Sequence, residues 1–165
     1  MDKKYQTTIK RFIAALIDSV ILSPLFYLSN YLLIINHNYL WSIVITSLFS
    51  YISILYSIFL HKIYGQTLGK MLLKIIVVDV SETSKIKTQQ AFIRDSPLLL
   101  IITINMLFFL LQYSNSYEDA QFAKFNNIND SSYFLWSILE LITMFTNYKR
   151  RSLHDFIAKT VVVNT

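Results

Sequence analysis

Asp18 lies six residues into an apolar run of 24 residues, Phe12 to Ile35, and Arg11 stands at the mouth of that run on the same helical face. A carboxylate inside hydrocarbon costs about 3 kcal/mol even on permissive insertion scales, so such a residue needs a partner. Arg11 is about 10 Å away along the helix, close but too far for an ideal direct bond, which implies a third group or water. Asp18 sits about 9 Å in from the end of the run, within approach of basic residues such as Arg150 or Arg151 in the terminal segment. Two chemistries fit. Asp18 is either a clasp tying the first apolar segment to a basic segment, or a cation or proton site. In the second case desolvation and a nearby arginine act in opposite directions, and the group can titrate.

Two further acids belong with it. Glu140 lies near the middle of a later apolar run with no basic residue within reach along its own helix. It must therefore be protonated, hydrogen-bonded to a neighbour or facing a hydrated cavity. Candidate partners are Ser23, Asn30, Ser47, Ser50, Thr103 and Asn105. Asp155 ends the stretch Ser152-Leu153-His154-Asp155, which has the spacing of a capping box, and it can also pair with Arg11 to bring the two ends of the chain together.

The elements that position these residues are membrane helices. Hydrophobic residues make up 54% of the chain, its mean hydropathy is +0.45, and the apolar residues come in blocks. A span needs roughly 20 residues. The blocks predict four transmembrane helices over about 12–35, 40–60, 97–113 and 131–147. The fourth is extended back because Asp130, Ser131 and Ser132 suit a helix start, and Pro97 suits the first position of the third. Basic residues collect before the first helix (Lys3, Lys4, Lys10, Arg11), between the second and third (Lys62, Lys70, Lys74, Lys85, Lys87, Arg94) and after the fourth (Lys149, Arg150, Arg151, Lys159), leaving Lys124 alone on the other side. Positive charge marks cytoplasmic loops. Both termini and the 61–96 segment are therefore expected inside, in a cell membrane, with an outer loop over 114–130.

The 61–96 segment holds the only two glycines, in Gly65-Gln66-Thr67-Leu68-Gly69-Lys70. Gly65 follows the second helix where a left-handed cap is needed. Leu68, Met71, Leu72 and Ile75 share one face of a short amphipathic helix on the inner membrane surface. Ile75 to Val80 is β-branched and reads as the first strand of a β-hairpin that turns over Ser81 to Ser84 and returns through Ile86. Val161-Val162-Val163 is also strand-like and is expected to join it. The fold class is thus an all-α integral membrane protein with a small cytoplasmic helix and hairpin, in one domain over 1–165.

The net charge of +5 is accounted for by membrane orientation, with no stacking motif beside it, so nucleic acid is not an expected partner. Zero cysteines exclude disulfides and thiolate chemistry. His37, His61 and His154 lack metal-ligand spacing, and no phosphate-binding glycine loop is present, so neither a metal nor a cofactor is expected. Ser152, His154 and Asp155 have the residue types of a hydrolase triad, but adjacency on one helical turn should point them apart, so no enzyme is expected.

Three ordered stretches, Lys10-Arg11-Phe12-Ile13-Ala14-Ala15-Leu16-Ile17-Asp18, the glycine segment with Val77-Val78-Asp79, and Arg150-Arg151-Ser152-Leu153-His154-Asp155-Phe156-Ile157-Ala158-Lys159-Thr160-Val161-Val162-Val163, resemble the motifs of the RDD family of small membrane proteins. The resemblance implies that Arg11, Asp18 and Asp155 are the family's charged triad and that transport is the usual suggestion for its function. Glu140 lies outside that triad. Two function classes follow. One is a small transporter or antiporter of monovalent cations, protons or another small solute. The other is a non-transporting membrane adaptor or assembly protein whose intramembrane charges are clasps. Its partners would be the bilayer, anionic lipids at the cytoplasmic face, and further copies of the chain or a membrane protein.

Overall fold

The computed structural model describes residues 3–36, 39–112 and 118–165. Four long helices, α1 (Thr8–Asn36), α2 (Tyr39–Tyr64), α4 (Thr88–Gln112) and α5 (Glu118–Thr146), pack side by side in the order α1, α2, α4, α5. Two single-turn helices, α3 (Leu68–Leu72) and α6 (Leu153–Ile157), and two strands, β1 (Ile75–Asp79) and β2 (Thr160–Asn164), cap one end of the bundle.

The long helices carry their large apolar residues outward. Leu48, Ile52, Leu55 and Phe59 on α2, and Leu100, Ile104, Leu107 and Leu111 on α4, are exposed at helical spacing, as are Phe12, Leu16 and Val20 on α1. Stripes this long would aggregate in water and are at home in lipid. Among the described residues, three helical stretches are long and apolar enough to cross a membrane: Lys3–Leu28, Val44–Tyr64 and Thr88–Phe108. The fourth, α5, is equally long but carries Glu118, Asp119, Lys124, Asp130 and Glu140. Between helices, Tyr51 meets Thr103 at 2.9 Å and Asn105 donates to Asn129 at 3.0 Å. Such bonds satisfy polar groups that lipid cannot.

Two expected helix starts are displaced. The third helix begins at Thr88, not Pro97, and therefore takes Arg94 and Asp95 into the bundle. The polar stretch expected as an outer loop is helical from Glu118 onward, so Asp130, Ser131 and Ser132 lie inside α5; Ser132 donates to the Ile128 carbonyl of its own helix. Residues 113–117 of that expected loop lie outside the described residues. Serine explains why Pro97 does not begin a helix. Pro97 has no N–H for the Ile93 carbonyl, and the Ser96 hydroxyl takes that carbonyl at 2.7 Å. Pro24 repeats the device inside α1, with Ser23 donating to Val20 at 2.8 Å. In lipid an orphaned carbonyl has no water to turn to, and a preceding serine removes the penalty.

Gly65 closes α2 at φ +73, donating to His61 at 2.9 Å and accepting from Val77, as the left-handed cap predicts. Leu68 and Leu72 lie on the exposed side of α3, whereas Ile75 belongs to β1 and is fully buried. The change follows from Lys74, whose positive φ of 55 turns the chain out of the helix. The expected hairpin is replaced by a sheet between distant segments. β1 pairs antiparallel with β2, Val77 opposite Val162, while the return stretch contributes a single bridge, Val78 to Lys85. The return is cut short because Thr88 already starts α4. Ile75, Val77 and Val162 pack with Ala14, Ile86 and Ala91; Val161 and Val163 on the other face pack with Tyr5. The C-terminal strand thus joins β1 as its valines predict.

The serine device makes a test. Ser96→Ala is expected to cost about 1 kcal/mol in the wild-type background and close to nothing in a Pro97→Ala background, where the restored backbone N–H reaches Ile93. Unfolding of the four proteins in detergent gives the coupling; equal costs in both backgrounds would show that Ser96 does not serve Pro97.

Candidate functional site at the sheet end of the bundle

Every helix and β2 send a polar side chain to the junction between bundle and sheet. Asp155 is at its centre and is fully buried. It opens α6 as the sequence predicts, accepting from the Ser152 backbone N–H at 3.1 Å. The same carboxylate accepts from the hydroxyls of Ser152 at 3.0 Å and Thr160 at 3.2 Å. Arg11 of α1 reaches it at 2.6 Å and Arg94 of α4 at 2.9 Å. Burial alone would push the Asp155 carboxyl up. The guanidiniums of Arg94 and Arg11, with the Ser152 N–H, hold it well below the usual carboxylate range. Arg151 closes the α6 turn from outside, donating to the Asp155 and Thr160 carbonyls.

Of the polar residues first considered for Glu140, Ser23, Ser50, Thr103 and Asn105 have other partners. Ser23 and Ser50 bond their own helices, Thr103 meets Tyr51, Asn105 meets Asn129, and the Asn30 side chain lies outside the described residues. Glu140 instead contacts Nδ1 of His154. The partner is 14 residues away on α6, where the chain folds back against α5, so helix geometry alone could not reveal it. Arg94 donates to His154 Nε2 at 2.8 Å. A guanidinium can only donate, so Nε2 accepts and the ring proton is on Nδ1, pointing at the Glu140 carboxylate. Glu140, His154, Arg94, Asp155 and Arg11 thus form one continuous polar chain, with the imidazole as the link between charged groups.

Contrary to the directions expected from adjacency, Ser152 Oγ also lies 3.0 Å from His154 Nε2. The resulting Ser-His-Glu order has the outline of a hydrolase triad. Its serine is fully buried and its hydroxyl is within bonding distance of Asp155, while Nε2 is already taken by Arg94.

Asp18 belongs to a second constellation. Neither Arg11, Arg150 nor Arg151 reaches it; its partners are neutral donors. Tyr56 of α2 donates to Oδ1 at 2.9 Å, Thr67 to Oδ2 at 2.6 Å, and the Gly69 backbone N–H to Oδ1 at 2.9 Å. Thr67 is the residue before α3, and its hydroxyl, which would ordinarily cap that helix, is turned to Asp18. Asp18 supplies the cap instead, from another helix. Gly69 makes this possible. It is buried against α1, and a Cβ there would overlap the Ala14 carbonyl oxygen. Gln66 sits half-buried in the turn between Gly65 and Thr67.

A third group was not legible as a unit. His61 of α2, fully buried, lies 2.8 Å from Lys70 Nζ through Nε2 and 3.2 Å from Ser57 through Nδ1. Asp95 of α4 stands 3.8 Å from the same Nδ1. Thr88 suits a helix start in the sequence as well, but only the unbroken run of α4 through Pro97 brings Arg94 and Asp95 to the site. Outside the cluster, Glu82 gathers Lys149, Lys4 and the Tyr5 hydroxyl, which together hold its carboxyl down at about 2.

Apolar membrane-spanning helices closed at one end by a charge-fastened sheet define a small integral membrane protein. The chain belongs to the RDD family, whose model matches residues 5–159. Comparison with curated proteins and with solved structures found no match in either.

Asp155→Asn leaves Arg11 and Arg94 without their counter-charge and is expected to cost about 3 to 5 kcal/mol. Because its carboxyl is depressed in the folded chain, the wild type holds this contribution above about pH 4, the unfolded value, and loses it as the pH falls through the folded one. Acid unfolding of wild type against the variant reads this; the same acid sensitivity in both would remove Asp155 as its cause. Gly69→Ala should cost about 1 to 3 kcal/mol through overlap with Ala14, measured by thermal unfolding in detergent, whereas Gly69→Ala at wild-type stability would mean that α3 does not press on α1.

Proposed function

We propose that this protein is a non-transporting membrane assembly protein. Its intramembrane charges are clasps that fasten a cytoplasmic sheet to the inner ends of four spanning helices, with both termini inside the cell membrane. One observation carries the reading: Asp18, one of the acids that could serve as a cation or proton site, has both oxygens taken by Tyr56, Thr67 and the Gly69 N–H. A cation site needs free lone pairs, and this carboxylate spends three of about four on protein donors. Asp155 and Glu140 are likewise engaged by protein groups. The positive-inside distribution supports placing the sheet in the cytoplasm and counting α5 as the fourth span.

The working face in this reading is the sheet end. Lys62, Lys74, Lys85, Lys87 and Lys159 are exposed there, beside the outward Leu68 and Leu72 of α3. Basic residues next to apolar ones at a membrane surface favour anionic headgroups, each contributing about 1 kcal/mol. The protein acts by holding this face in a fixed geometry for anionic lipid and a membrane partner, and no enzymatic step is involved.

Reconstituted vesicles with an internal pH dye test the choice between classes. No cation-dependent proton flux above protein-free vesicles is expected from the wild type under either polarity of gradient. Flux that disappears in Asp18→Asn, with the fold intact, would overturn the assembly reading and restore an antiporter.

A further inference from the structure

We propose that Lys70 and His61 together form a binding site for one exchangeable proton, held between α3 and α2 with Asp95 of α4 as its counter-charge. The geometry carries the assignment. Lys70 Nζ and His61 Nε2 are 2.8 Å apart, a hydrogen bond that needs one lone pair between the two nitrogens. With an ammonium on Lys70, Nε2 supplies it, and the imidazole proton is on Nδ1. An ammonium and an imidazolium together would face N–H against N–H, so the pair cannot be fully protonated and keep this contact. Asp95 Oδ2 is buried and has no hydrogen-bond partner among the described residues; it faces Nδ1 at 3.8 Å. A buried carboxylate oxygen left without a donor marks an excess of negative charge that a proton on the pair would balance.

Proton loading is simple addition. The amine lone pair of Lys70 forms a new N–H bond with a proton from water at the sheet end, and the ammonium so formed donates to Nε2. The one bond that breaks is the O–H bond of the hydronium that delivers the proton, and water is left behind. The groups facing the pair are Asp95 and Arg94 from α4, Asp155 and His154 from α6, and Arg11 from α1. Lys70 is half-buried. Enclosure first, and then the Arg94 guanidinium, hold the Lys70 ammonium down at about 7 against an ordinary 10.5. The sign follows: the folded chain binds fewer protons than the unfolded chain between these values, so Lys70 makes stability rise with pH across that window. Lys70 lies next to Gly69, whose N–H is held by Asp18, so the charge on this site acts directly on the turn that docks α3 to α1. The site is separate from the assembly reading, since a proton taken up and released at the same end crosses nothing.

Nitrogen-15 NMR of the lysine Nζ groups in the full chain, reconstituted in lipid nanodiscs, reads the site. The Lys70 signal is identified by its contact with the His61 ring protons, and its loss in Lys70→Arg is a second identification. One signal, that of Lys70, is expected to titrate near neutrality while exposed lysines hold their protons to about pH 10. Asp95→Asn, by removing the counter-charge, should move that midpoint to lower pH. A Lys70 signal that titrates with the exposed lysines, or a midpoint that Asp95→Asn leaves in place, overturns the proposal. Lys70→Arg keeps a cation that does not titrate in this range, so its stability should lose the rise above neutral pH that the wild type shows.

Discussion

A fully buried carboxylate between two arginines is the constraint on which this architecture rests. Asp155 draws Arg11 from the first helix and Arg94 from the third to one point, and its own backbone turn fixes where β2 begins. Each of these charges would be prohibitively expensive alone in a low-dielectric setting; together they satisfy one another. A pair of this kind adds less net stability than its Coulomb energy suggests, because both partners lose water. Its stronger effect is selective: an arrangement of helices that fails to bring Arg11, Arg94 and Asp155 together leaves bare charge inside.

Around that point the junction is divided by chemistry. The Asp155 network is ionic and joins distant parts of the chain. The Asp18 constellation is neutral on the donor side and joins α1 to the first turn of α3, where Gly69 lets the backbones touch. A carboxylate with two hydroxyls and a backbone N–H is stabilised without a cation, which is why Arg11 is free to serve Asp155. The two acids that look like one charge pair with Arg11 in the sequence are therefore separate fasteners. Apolar packing adds the third component, with valines of β2 filling both faces of the small sheet.

The helices show how much a local pattern can mislead about ends. Proline 97 and the Asp130-Ser131-Ser132 cluster both carry start signals, yet α4 and α5 run through them. A start signal works by supplying or removing hydrogen bonds, and here the Ser96 hydroxyl mends the backbone at Ile93 while the Ser132 hydroxyl bonds the Ile128 carbonyl of its own helix. Extending α4 backward brought Arg94 and Asp95 into the bundle and so changed which residues belong to the site. Glu140 moved the other way, from a lone acid in mid-membrane to the partner of His154.

Sequence by itself determined the apolar helices, the left-handed turn at Gly65, the α6 cap by Asp155 and the strand character of β1 and β2, because each depends on neighbours within a few residues or on composition over one helix. It also singled out Arg11, Asp18, Asp155 and Glu140 as charges in need of partners. Tertiary structure alone decided those partners: Tyr56, Thr67 and Gly69 for Asp18, Arg94 for Asp155, His154 for Glu140, Lys70 for His61. The reason is physical. A buried charge states how much compensation it needs, while the identity of the compensating group depends on which distant segment the packed backbone brings within 3 Å.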